Sequence, residues 1–142
     1  MNHRTYPALA LGLIALLVGA CSPGAAATPT AGLASLGPRP SSPATVAIVA
    51  PTSGARVTGT SVHVVLSLTG ATIVPATTTA ITPTTGHVHL YVDNQLVSMN
   101  YGLEQDLPVT PGSHVLKAEF VAADHAPFSP RVYSDQVIFT VQ

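Results

Sequence analysis

Charge is scarce in this chain: Asp, Glu, Lys and Arg make up 8% of its 142 residues, against about 25% in an average globular protein. Lysine and arginine number only five and never cluster. This excludes the basic footprint that nucleic-acid binding needs and a polybasic segment for anionic lipid. There is no tryptophan, and aromatic residues are 5% of the total, so any core is mostly aliphatic. With one cysteine, Cys21, no internal disulfide can staple the fold. The long uncharged apolar run, Ala8 to Ala20, falls short of the ~20 residues that span a bilayer. Missing too are a Gly-x-Ser-x-Gly elbow, a phosphate-cradling glycine loop and grouped carboxylates, so no enzyme class is indicated.

What is present begins with that apolar run. Asn2-His3-Arg4 supplies a short positive start, and small residues precede Cys21. This is the layout of a secretory signal. Val18-Gly19-Ala20-Cys21 resembles the lipobox of bacterial lipoproteins, with Gly19 where that pattern more often has Ala, Ser or Thr. The resemblance implies cleavage before Cys21, a diacylglyceryl group on its sulfur and an acylated new amino terminus. It places the protein in the cell envelope, lipid-anchored to a bacterial membrane and facing outside the cytoplasm. Multiple acyl chains, at ~0.8 kcal/mol per buried CH₂, hold a small domain stably.

Removal of residues 1–20 as signal peptide leaves 122 residues, enough for one domain with a modest core. Residues 21–43 comprise the lipidated cysteine and a segment rich in Ala, Pro, Gly, Ser and Thr. Such composition cannot bury a core and reads as a tether, with a reach of roughly 25 Å from flexible-chain scaling. From Ala44 to Gln142 short β-type runs alternate with turn residues. The runs are Thr45–Val49, Ser61–Leu68, Gly70–Pro75, His87–Val92, Leu96–Met99, His114–Val121 and Val132–Val141. Thr77–Thr85 reads as a loop or ragged edge and Ala122–Pro130 as a proline-containing loop, while Asp93-Asn94 is a hairpin signal. About seven strands at this spacing, with no helical period, predict a single all-β sandwich. The stretch from Ile48 to Val64 resembles the first two strands of bacterial immunoglobulin-like modules.

Five of six histidines lie beyond the expected cleavage point, four of them in three motifs. These are Gly86-His87-Val88-His89-Leu90-Tyr91-Val92-Asp93, Pro111-Gly112-Ser113-His114-Val115-Leu116, and Asp124-His125-Ala126-Pro127 followed by Ser129-Pro130. Together they resemble an uncharacterised family of exported bacterial domains, a resemblance that implies location and fold but no reaction. Residues two apart on a strand share a face, so His87 and His89 project together with Tyr91 and Asp93. Two such imidazoles suit copper or zinc, and His114, His125 or Met99 would supply a third ligand. The parity of His114 with Leu116, Ala118 and Phe120 places it instead at the domain's end, under the loops, which leaves His125 free to turn either way. A structural reading stands beside the metal one: His114 and His125 hydrogen-bonded to loop groups, Asp124 capping a turn, and His87 and His89 as exposed sheet residues. His63 has no assigned role. The function expected is a non-catalytic, lipid-anchored envelope module that binds an unknown envelope protein or small ligand and holds no cofactor. The alternative is an envelope protein binding a transition metal such as copper through the His-x-His strand and a loop histidine.

Overall fold

The structure, a computed structural model, describes residues 38–142. The leader, Cys21 and the tether as far as residue 37 lie outside the described residues. Among the described residues ten strands form in order: β1 (Thr45–Ala50), β2 (Arg56–Val57), β3 (Ser61–Thr69), β4 (Thr72–Ile73), β5 (Thr85–Val92), β6 (Gln95–Ser98), β7 (Glu104–Pro108), β8 (Gly112–Ala122), β9 (Pro127–Tyr133) and β10 (Val137–Val141). They make two sheets, one ordered β1-β3-β7 and the other β2-β10-β8-β5-β4, with β6 on β5 and β9 on β8. The chain crosses from β1 to β2 and back to β3, passes to the second sheet for β4 to β6, returns at β7 and crosses again to the second sheet for β8 to β10. This Greek-key path makes an all-β, immunoglobulin-like sandwich.

Alternation explains which side of each strand is buried. In β3, Val62, Val64 and Leu66 point inward while His63 and Ser67 face solvent. In β10, Val137, Phe139 and Val141 do the same. From β5 and β8, in the same sheet as β10, come Val88, Leu90, Leu116, Ala118 and Phe120, all fully buried. Phe120 stacks on Phe128 at 5.4 Å between ring centroids. Asp93 and Asn94 adopt φ of 51° and 64°, the conformation a two-residue hairpin requires, and join β5 to β6.

The strand count exceeds the expected seven for three reasons. β2 is a two-residue ladder parallel to β10, too short to leave a periodic signal, whereas β4 falls within the expected run Gly70–Pro75. β7 is largely polar, with Leu107 its one buried residue, so it shows no apolar run. The last apolar run is also broken: β9 starts at Pro127, inside the expected loop, and ends at Tyr133 before β10 begins. At the break Ser134 donates its backbone N–H to Ala118 O at 2.9 Å, and its Oγ accepts the Ala118 N–H at 3.0 Å. The packed domain also starts earlier than Ala44, because Arg39 and Pro40 are hydrogen-bonded to the segment Asp124–Ser129.

Two strands depart from one-sided burial. Gly86 to Leu90 of β5 and Ala118 to Ala122 of β8 are buried at every position. At this end the outer face of the second sheet is therefore covered, and what covers it defines the candidate site.

Candidate histidine cluster

On the outer face, pairing of β5 with β8 sets His87 opposite Val121, His89 opposite Glu119 and Tyr91 opposite Lys117. A tight turn follows β8. His125, at φ 63°, donates its N–H to Ala122 O at 2.9 Å, and Ala126 O accepts the Ala122 N–H at 3.0 Å. The turn lays the His125 ring over β5. It stacks on His87 with centroids 4.2 Å apart and runs nearly parallel to His89 at 5.4 Å. His89 Nε2 and His125 Nδ1 lie 3.1 Å apart. The other His125 nitrogen, Nε2, meets Thr77 Oγ1 at 2.9 Å, and Thr77 Oγ1 is 3.4 Å from the Tyr101 hydroxyl. Tyr101 stands edge-on to His87, 4.7 Å between centroids.

His87 is fully buried, and among the described residues neither of its ring nitrogens has a hydrogen-bond partner. Burial lowers its pKa, the neighbouring His125 lowers it further, and the backbone near Ala76 and Val74 opposes this without closing a well-formed hydrogen bond. His89 is lowered as well, by burial first and then by His125, with Glu119 opposing. Both rings are thereby biased toward neutral imidazole, the metal-ligating form. As the rings stand, no group of three or more His, Cys, Asp or Glu side chains among the described residues has metal-holding geometry. Stacking sets the in-plane lone pairs of His87 and His125 side by side rather than toward one point.

Beside the histidines lies an ionic group that the sequence reading passed over. Glu119 is fully buried and accepts two hydrogen bonds from Arg131, at 2.6 and 2.7 Å, and one from the Tyr91 hydroxyl at 2.9 Å. Burial and Glu119 push the Tyr91 hydroxyl up to about 12. Lys117 lies 5.0 Å from the Tyr91 ring centre and 4.6 Å from that of Tyr133. The parity that sends Leu116, Ala118 and Phe120 inward sends Lys117 and Glu119 outward, so this group was readable from β8.

The other candidates fall elsewhere. His114 is in the predicted place at the domain's end, with Nδ1 2.7 Å from Asp93 Oδ2 and Nε2 2.8 Å from Thr110 O. It stands seven residues along β8 from Val121, roughly 20 Å or more at strand rise, so it does not join the ligand set with His87 and His89. Met99 is exposed. His63 pairs with Asp106 at 2.9 Å on the outer face of the first sheet. His87 and His89 share a face as expected, yet they are buried rather than exposed, because loops from three parts of the chain close over them.

A family described as "Domain of unknown function (DUF4399)" matches residues 64–142, which include His87, His89 and His125. The chain belongs to this family. The DUF4399 match starts inside β3, so Arg39 and the first strand precede it. Among solved structures, the chain is similar to one reported under Clostridium thermocellum CbhA fibronectin(III)-like modules. The two are 13% identical with a TM-score of 0.40, over 68% of this chain and 92% of that one. None of the curated proteins matches the sequence.

Proposed function

We propose that this protein is a non-catalytic binding module of the bacterial cell envelope, lipid-anchored through Cys21. We further propose that its ligand is a transition-metal ion of the copper or zinc class, taken by His87, His89 and His125. The observation that carries this reading is His87, fully buried with both ring nitrogens unpaired among the described residues. Leaving a buried polar group unsatisfied costs ~1–3 kcal/mol, and such groups call for an explanation such as an ion or a water. Two features add weight. Nitrogens bound to one tetrahedral zinc at 2.0–2.1 Å would sit about 3.3 Å apart, close to the 3.1 Å between His89 Nε2 and His125 Nδ1. The torsion that turns an imidazole about its Cβ–Cγ bond is broad, so unstacking His87 from His125 requires only a ring rotation.

The test is calorimetric titration of the purified full chain in detergent with Cu²⁺ and Zn²⁺, beside a His87→Ala/His89→Ala double variant. The wild type is expected to bind one ion. The variant is expected to lose at least the ~10–100-fold in affinity that follows loss of even an outer-sphere partner. Equal binding by both proteins, or none by the wild type, would return the cluster to a structural role.

A further inference from the structure

We infer that Arg39, which precedes the matched family region, is the positioning residue for His125 and so controls ligand affinity at the cluster. The inference rests on the metal reading above for its functional consequence but not for its geometry. Arg39 grips the His125 turn from both sides. Its two terminal nitrogens donate to the Asp124 carboxylate at 2.7 and 2.8 Å, one of them also to Ala126 O at 2.9 Å, and Nε donates to Pro127 O at 2.9 Å. Pro40 O accepts the Ser129 N–H at 3.0 Å, continuing the grip along β9. Asp124 in turn accepts the Ala126 N–H at 3.1 Å. One guanidinium therefore ties the residues on either side of His125.

That turn needs an external fastening. His125 is held at φ 63°, a conformation uncommon for residues other than glycine, and its ring must meet two partners on β5 at once. The Arg39 and Asp124 side chains are 15% and 20% exposed, so the pair is shielded from much of the screening that weakens surface ion pairs. The two-pronged contact also needs the planar fork that lysine lacks. In sequence, Arg39 stands at the start of the packed domain, 18 residues after Cys21, so the stretch leading from the proposed anchor is also the stretch that fastens the ligand loop.

The experiment uses full-length wild type, Arg39→Ala, Arg39→Lys and a control, Val62→Ala, which thins the core beneath the opposite sheet. Zn²⁺ affinity is measured by calorimetry, and the histidine ring signals are followed by NMR in metal-free protein. Arg39→Ala is expected to weaken Zn²⁺ binding ~10–100-fold, as loss of an outer-sphere partner does, and to shift the His125 ring signals while those of His63 and His114 stay in place. Val62→Ala is expected to lower the unfolding midpoint and leave the affinity unchanged. Wild-type affinity in Arg39→Ala, or an equal loss in Val62→Ala, overturns the inference. Should Arg39→Ala fail to fold, wild-type affinity together with unmoved His125 signals in Arg39→Lys overturns it instead. If the wild type binds no metal but the His125 signals still shift, the metal reading fails and the positioning role stands.

Discussion

His63 and His114 each pair with an aspartate, yet the two pairs differ in weight. The His63–Asp106 pair is exposed on both sides, at 57% and 71%, where ion pairs contribute little. His114 is 11% exposed and holds Asp93 from a half-open position. Asp93, and after it the Thr110 carbonyl, raises the His114 pKa above 6.5. His114, and after it the Val115 N–H, lowers that of Asp93 below 3.8. The histidine's contribution to stability is thus complete below pH 6.5 and fades as pH rises through its folded value. The carboxylate's contribution is complete above pH 3.8 and fades as pH falls through its folded value. His114→Gln is expected to cost under about 1 kcal/mol, with the gap to wild type widest between pH 3.8 and 6.5 and narrowing toward alkaline pH. Thermal melts across that range check it, and a gap that widened above neutrality would contradict the pairing. Parity along β8 was enough to place His114 at the domain's end, since it needs only the alternation of one strand.

At the scale of elements, the β5–β8 pair carries the site, and Gly86 sets how closely the two strands approach. A Cβ at Gly86 would stand 1.9 Å from Val121 O and 3.0 Å from the Phe120 ring. The first of these is backbone in a buried strand and cannot swing aside. Gly86→Ala is therefore expected to destabilise the domain at or beyond the upper end of the ~1–3 kcal/mol typical of overpacking. Chemical denaturation followed by circular dichroism measures this, and a neutral substitution would mean that the strands can separate without loss. The β5–β6 hairpin was legible because Asp-Asn tolerates positive φ and the runs on either side alternate. The break between β9 and β10 was not, because it is made by Ser134 bonding to Ala118 sixteen residues away, and no local pattern encodes that.

Over the whole molecule, a weakly charged sandwich has no electrostatic route to a membrane surface, so the proposed anchor has to act through lipid alone. Cys21→Ser is expected to stay uncut, to take up no fatty-acid label, and to show neither the mature length nor the lipid modification of the wild type. Mass spectrometry of the two proteins checks this, and an identical mature form from both would remove Cys21 as the anchor. No helix among the described residues is long and apolar enough to cross a membrane.

The alternation of apolar residues and the turn dipeptides determined by themselves that the chain forms an all-β sandwich with His87 and His89 on one face, and the single cysteine that no internal disulfide holds it. Strand period and disulfide arithmetic are local or compositional, so one chain suffices to read them. Only the tertiary structure decided that this face is covered, that His125 rather than His114 completes the cluster, and that Arg39 fastens the His125 turn across 85 residues. Each of those depends on which loops fold over the sheet, and loop closure is set by contacts between distant residues that no spacing along the sequence records.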